Sequence, residues 1–225
     1  MNYPILFFDL DETLFDTKKN SKEALRKITV IPGFPFTDEQ VMYWNRLSDK
    51  LWEQFSDEKI TRTELLNTRF EKFFDHYGVK VDGVICEQEF EKHLVNEGNL
   101  LPHAKELLMK LSSRRVFAVT NGSKYKQLPQ LNKAGLTPYF EGLLMAEDIG
   151  YRKPDPKFFQ TIMQKIGIDS KDKILMIGDS LTADIKGARQ FGIDSVWYNP
   201  QKLSNTTNIK PSYEIEDLIS VLEII

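Results

Sequence analysis

The sequence predicts an α/β fold: a parallel sheet packed between helices and interrupted after its first strand by an all-helical insertion. Three observations carry this. Ile5-Leu6-Phe7-Phe8 is an unbroken apolar run, the pattern of a strand buried on both faces, and similar runs recur at Val116-Phe117-Ala118-Val119 and Ile174-Leu175-Met176-Ile177. From Leu100 onward such strands alternate with helical periodicity, which implies parallel strands joined by right-handed crossovers. Between the first strand and that region, residues 17–99 carry helical spacing and no convincing strand. The expected domains are a core of residues 1–16 and 100–225 and a helical cap of residues 17–99.

The elements follow in order. Ser21 to Val30 reads as a short helix. Thr37-Asp38-Glu39-Gln40 reads as a capping box opening a helix with Val41, Trp44, Leu47, Leu51 and Phe55 at helical spacing. Thr61-Arg62-Thr63-Glu64 opens another, which carries Leu65, Leu66, Phe70, Phe73, Phe74 and Tyr77 and stops at Gly78. Ile85 to Val95 is the last of the insertion. In the core, Pro102 to Ser112 is helical, and Val116 to Val119 is a strand that stops at Thr120-Asn121-Gly122. A helix over Leu128 to Lys133 ends at Gly135, Gly142 to Ala146 is a strand, and Pro156 to Ile166 is a helix closed by Gly167. The strand Lys173 to Ile177 breaks at Gly178-Asp179-Ser180. Thr182 to Phe191 is a helix, Ser195 to Trp197 a strand, Tyr213 to Ile215 an edge strand, and Glu216 to Ile224 a final helix.

A chain of 225 residues can bury a full core, and a net charge of −3 with both signs interspersed offers no basic stripe for a nucleic-acid polymer. Cys86 is the single cysteine, so no internal disulfide can form. No charged leader precedes the first apolar run, which is too short for a signal peptide or a membrane span. The expectation is a cytoplasmic protein that uses neither membrane nor nucleic acid. Its oligomeric state is not legible.

Strand ends carry the chemistry. Asp9 and Asp11 stand on alternate residues at the carboxyl end of the first strand, where open α/β sheets place ligands. Side by side, two such charges are costly unless a cation or a shared proton compensates, and a bound metal is the simplest reason to have them. Asp-x-Asp-x-Thr is equally compatible with a surface turn or a helix cap. Thr120-Asn121-Gly122 could be a plain turn, Asp179-Ser180 a cap, and Lys153 a solvated lysine. Together they supply two carboxylates for a divalent cation, a hydroxyl and an ammonium for an anion, and a spare carboxylate, the components of phosphoryl transfer. Oxygen ligands without Cys or His suit Mg²⁺ and argue against zinc.

Asp9-Leu10-Asp11-Glu12-Thr13, Thr120-Asn121-Gly122, Gly150-Tyr151-Arg152-Lys153-Pro154 and Gly178-Asp179-Ser180-Leu181-Thr182-Ala183-Asp184 resemble, in order, the four motifs of the haloacid dehalogenase superfamily. The resemblance implies a Rossmann-like, three-layer α/β/α core with a subfamily I helical cap. It implies Asp9 as nucleophile, Asp11 as acid/base, and Thr120 and Lys153 completing the catalytic set. Phosphate would be bound by Leu10, Asp11, Thr120, Asn121 (chiefly through its backbone) and Lys153. Mg²⁺ would be held by Asp9, Asp179 and the Asp11 carbonyl, with Asp184 orienting Lys153 or a metal-bound water. Arg152 reads as a rim charge. Glu12 departs mildly from the Gly or Asp common at its position, and Asp16 reads as a structural cap.

Dehalogenases of the superfamily usually lack a carboxylate at the Asp11 position, because a halide needs no proton; its presence implies phosphate esters. With Arg152-Lys153-Pro154-Asp155-Pro156 and Trp197-Tyr198-Asn199-Pro200, the chain resembles the YjjG/YfnB-like 5′-nucleotidase branch, which implies a nucleoside 5′-monophosphate as the small-molecule substrate. The alternatives are a sugar-phosphate phosphatase, a phosphotransferase of the β-phosphoglucomutase kind, and a non-catalytic phosphate-binding protein. A response-regulator receiver is too short to hold the insertion. The cap aromatics Trp44, Trp52, Phe55, Phe70 and Phe74 are read as packing rather than base-stacking.

Overall fold

The computed structural model describes residues 3–56 and 58–225. It divides into two compact units, one of the residues through Thr17 with Gly98–Ile225, the other of Lys18–Glu97.

The core holds a six-stranded, all-parallel sheet of β1 (Ile5–Phe8), β2 (Arg115–Thr120), β3 (Gly142–Met145), β4 (Ile174–Gly178), β5 (Asp194–Tyr198) and β6 (Tyr213–Ile215), in the order β3-β2-β1-β4-β5-β6. The chain builds outward from β1 through β2 to β3, then crosses back to lay β4 on the other side of β1. That reversal opens a crevice at the carboxyl ends of β1 and β4. Register places Phe8 level with Ala118 on one side and Ile177 on the other.

Strand alternation sorts the apolar residues into two layers. Leu6, Phe8, Val116, Ala118, Leu175 and Ile177 pack with Leu107, Leu108 and Leu131. Ile5, Phe7, Phe117, Val119, Ile174 and Met176 pack with Phe158, Phe159, Ile162 and Phe191. The three layers expected from the sequence are therefore present.

The cap unit is helical: α1 (Thr17–Leu25, beginning in the core unit), α2 (Asp38–Ser56), α3 (Arg62–Asp75) and α4 (Gly83–Leu94). No strand occurs among its described residues. The predicted capping box forms, Gln40 and Thr37 exchanging bonds, and the second helix start carries one as well, between Glu64 and Thr61. Trp44, Phe70 and Phe74 are buried together, with Trp44 and Phe70 rings 4.4 Å apart. Trp52 and Phe55 are not part of that packing; Trp52 is exposed, Phe55 half-buried, and they meet edge to face at 5.7 Å.

Four helices of the core complete the outer layers: α5 (Ala104–Lys110), α6 (Lys124–Ala134), α8 (Pro156–Ile166) and α9 (Lys186–Phe191), with the single turn α7 (Ala146–Ile149) between β3 and α8. Where boundaries differ from expectation, local chemistry explains it. α1 ends at Leu25 rather than Val30 because the β-branched run Ile28-Thr29-Val30 leads into Pro32, and Glu89 accepts the backbone N–H groups of Thr29 and Val30 instead. α6 starts four residues early and carries Pro129 inside it. The C-terminal helix is a 3₁₀ turn, Leu218–Ser220, capped by Asp217, followed by α10 (Val221–Ile224).

Candidate active site

The carboxyl end of β1 carries Asp9 on the same face as Ile5 and Phe7, still in the ladder through its N–H to Ile177 O at 2.9 Å. Burial leaves Asp9 only 7% exposed. Lys153, from the loop between α7 and α8, reaches it at 2.5 Å. The same ammonium donates to the Val119 carbonyl at 2.8 Å and pairs with Asp184, whose Oδ1 lies 2.7 Å away. Asp184 sits on a π-helical turn, Leu181–Ile185, where Ile185 N–H reaches back to Ser180 O. Such single turns are frequent at functional sites. Gly178 makes room for it: a Cβ there would lie 2.3 Å from the Asp184 carboxyl carbon.

Asp179 follows β4 and is held by Thr13, whose hydroxyl donates to its carboxylate at 3.1 Å and accepts its N–H at 3.0 Å. Trp197 Nε1 donates to the Asp179 carbonyl at 2.8 Å. Oxygens of Asp9, Asp179 and Asp184, one from each, lie within 4.8 Å of one another.

Electrostatics mark this group as short of positive charge. Burial pushes the Asp9 carboxyl up to about 7, with Asp184 adding to the rise and Lys153 opposing it. Burial, then Asp184 and Asp9, drives Asp179 well above the usual carboxylate range. Burial also works against the Lys153 ammonium, but Asp184 and Asp9 outweigh it and hold its pKa above the ordinary lysine value. Three clustered carboxylates, with one ammonium paired to two of them, offer hard oxygen donors and fit a divalent cation of the Mg²⁺ kind.

Asp11 is placed differently. The chain turns sharply after Leu10, with Leu14 and Phe15 N–H both donating to Leu10 O and Glu12 in the left-handed region at φ 58°. That conformation accounts for Gly or Asp being the easier residues at position 12. The Asp11 carboxylate lies outside the Asp9-Asp179-Asp184 group. It accepts Lys126 Nζ at 2.6 and 2.8 Å, Gln127 Nε2 at 2.7 Å and the Thr17 hydroxyl at 3.3 Å.

Thr120 ends β2, buried, and its hydroxyl accepts Gly122 N–H at 2.9 Å. The Asn121 side chain clamps the Lys153 backbone in both directions, each bond 2.9 Å, which leaves its own backbone for a ligand. Leu10 is wholly buried in the core, so only its backbone can face a phosphate. Arg152 is half-buried beside the buried Lys153, and Asp16 directly precedes α1 with its N–H on Asn99 O at 3.1 Å.

Sequence reasoning missed Thr13, Thr17, Lys126, Gln127 and Trp197. Thr13 was legible as part of the first motif but not as a holder of Asp179, which lies 166 residues away. Lys126 and Gln127 carry no signal of their own on a polar helix.

A family of haloacid dehalogenase-like hydrolases matches residues 3–192. Pyrimidine 5′-nucleotidase PynA of Streptococcus pneumoniae is 39% identical over 99% of this chain and 96% of its own length. Pyrimidine 5′-nucleotidase YjjG of Escherichia coli is 27% identical over 97% of this chain and 99% of its own. Among solved structures, the magnesium-bound HAD-hydrolase YfnB of Bacillus subtilis superposes with a TM-score of 0.94 at 34% identity, covering 100% of this chain and 99% of that one.

Proposed function

The chain belongs to the haloacid dehalogenase-like hydrolases, and from that premise we propose that it is a Mg²⁺-dependent phosphomonoester hydrolase acting on nucleoside 5′-monophosphates, pyrimidine ones first. One observation carries the reading: a buried carboxylate at a strand end, Asp9, is fixed by an ammonium that Asp184 orients from the other side. The substrate class rests on the relatives, two of which are named pyrimidine 5′-nucleotidases and align over nearly their whole length. A cytoplasmic setting belongs to the same reading; among the described residues no helix is long and apolar enough to cross a membrane.

In this mechanism an Asp9 oxygen attacks phosphorus, so that a P–O bond to Asp9 forms as the ester P–O bond breaks, and Asp11 gives a proton to the departing alkoxide. Water then attacks the aspartyl-phosphate, the bond to Asp9 breaks, and Asp11 takes the water's proton. Thr120, Lys153 and the backbone N–H groups of Leu10 and Asn121 bind the phosphoryl oxygens. Asp9, Asp179 and the Asp11 carbonyl would hold Mg²⁺, which supplies the positive charge that lets an anionic nucleophile approach an anionic phosphate. Asp184 and Asn121 fix Lys153.

The test measures phosphate release from pyrimidine and purine 5′-monophosphates and from sugar phosphates, with Mg²⁺ and with EDTA. Pyrimidine nucleotides should lead, EDTA should abolish turnover, and Asp9→Asn should remove it. A preference for sugar phosphates, or equal rates with and without metal, would defeat the proposal.

A further inference from the structure

The donors around Asp11 form a built feature that the reading above does not use. All three neighbouring side chains point a hydrogen at its carboxylate: Lys126 spans both oxygens, Gln127 takes Oδ2 and Thr17 takes Oδ1. Gln127 is completely buried, and its own Oε1 finds no hydrogen-bond partner among the described residues. An unpaired buried carbonyl is unfavourable, so the orientation that satisfies Asp11 outweighs it here. Gly122 is shaped to the same end: a Cβ on it would lie 2.3 Å from Gln127 Nε2. Lys126, by contrast, is partly open to solvent. One arm is thus rigid and the other free to exchange partners.

We propose that Lys126 and Gln127 are positioning residues that hold the Asp11 carboxylate apart from Asp9 and aim it at the leaving-group and water oxygens. The proposal rests on the aspartyl-phosphate reading above. Gln127 sets where the carboxylate sits. Lys126 offsets its charge, so that two carboxylates two residues apart need not share one cation. When Asp11 protonates the alkoxide, its proton moves to that oxygen as the ester bond breaks; when water attacks, water's proton returns to Asp11 and the P–O bond to Asp9 breaks. A misplaced Asp11 impairs both transfers.

Leaving-group chemistry separates this role from mere packing. p-Nitrophenolate leaves without a proton, whereas an alkoxide does not. Lys126→Met should therefore slow steady-state hydrolysis of both p-nitrophenyl phosphate and an alkyl phosphate ester turned over by the unaltered chain, with the loss at least about tenfold greater for the alkyl ester. With p-nitrophenyl phosphate it should give a burst of p-nitrophenolate equal to the enzyme concentration, because phosphorylation proceeds while the water step lags. Lys126→Arg keeps two donors and should recover the alkyl ester rate. Gln127→Leu should behave like Lys126→Met; since Gln127 is buried, the solvent-accessible Lys126 carries the test if that variant does not fold. Equal proportional losses on both substrates without a burst, or unchanged rates, would overturn the clamp while leaving Asp9→Asn inactive. Turnover by Asp9→Asn would overturn both readings.

Discussion

The core and the cap each bury charge, and they do so in opposite ways. In the cap, Arg69 and Glu87 form a one-to-one pair: Arg69 Nε donates to Glu87 at 2.5 Å, a second guanidinium nitrogen meets the other carboxylate oxygen, and the Trp44 and Phe90 rings flank the cation at 5.1 and 5.0 Å. Burial raises the Glu87 pKa, and Arg69 opposes the rise. In the core, Lys153 pairs with both Asp9 and Asp184, and Asp179 adds a third carboxylate to their cluster. A matched pair completes a structure, whereas an unmatched set is organised for something that arrives later. The contrast locates function more sharply than burial alone, since Asp9, Lys153 and Asp184 are as buried as Arg69 and Glu87.

Removing the lone core cation tests the contrast hardest. Lys153→Met leaves Asp9 and Asp184 without their ammonium, beside the third carboxylate of Asp179. Activity should fall by a factor on the order of 10³, as for loss of a preorganised donor at the reacting centre. Unfolding free energy should drop by more than the roughly 3–5 kcal/mol typical of one orphaned buried charge. Urea denaturation and initial rates check both. A loss of activity with unaltered stability would mean that the core set is not short of charge.

The cap pair should lose about 3–5 kcal/mol on Arg69→Met, and much of it should return in Arg69→Met/Glu87→Leu, because apolar side chains of similar size often replace a buried pair without cost. The equivalent compensation cannot work in the core, where no apolar replacement preserves the reaction. If the double variant is no more stable than the single one, the pair is doing something beyond filling the cap.

Metal should act only on the unmatched group. At a hundredfold excess over its dissociation constant, Mg²⁺ should stabilise the folded chain by about 2.7 kcal/mol. At roughly 2–4 °C per kcal/mol for a chain of this size, the melting temperature should rise by several degrees. Asp179→Asn should blunt that rise, and Arg69→Met should leave it intact. A shift that survives Asp179→Asn would place the cation elsewhere.

The same contrast explains what the sequence could disclose. Asp9, Thr120 and Asp179 were legible because each ends or follows a buried apolar run, so a polar residue there stands out against its own strand, and Lys153 through the Gly150-Tyr151-Arg152-Lys153-Pro154 loop. Arg69 and Glu87 lie on separate helices 18 residues apart, each among other charged residues, and nothing local marks either as buried. Lys126 and Gln127 were hidden for the same reason. Phe55 shares the helical spacing of Leu51, yet Leu51 is buried while Phe55 is only half-buried and Trp52, one residue round the helix from Leu51, is exposed, because periodicity identifies a stripe but not its edge. The sheet was legible almost to the residue; helix limits were not, since Pro129 obscures the start of α6 and the β-branched Ile28-Thr29-Val30 run the end of α1.

The smallest effect belongs to an exposed pair in the core, which supplies the reference for both buried groups. His103 Nδ1 lies 2.7 Å from Asp217, with both side chains nearly half exposed. The hydrogen bond to Asp217 raises the His103 pKa, and the bond from His103 lowers that of Asp217. The histidine contribution is complete below its unfolded value, about 6.5, and fades as pH rises through the raised folded value. The aspartate contribution is complete above about 3.9 and fades as pH falls through its lowered value. Both are in force between those limits. His103 has φ 60°, so Asn, which tolerates that conformation, is the replacement that removes the charge without adding strain. The melting-temperature difference between the unaltered chain and His103→Asn should be larger at pH 5.5 than at pH 8.5, and at either pH smaller than the effect of Arg69→Met. Water and salt screen the exposed pair, whereas nothing screens the buried one. A His103→Asn effect as large as that of Arg69→Met would show that burial is not what separates the two regions.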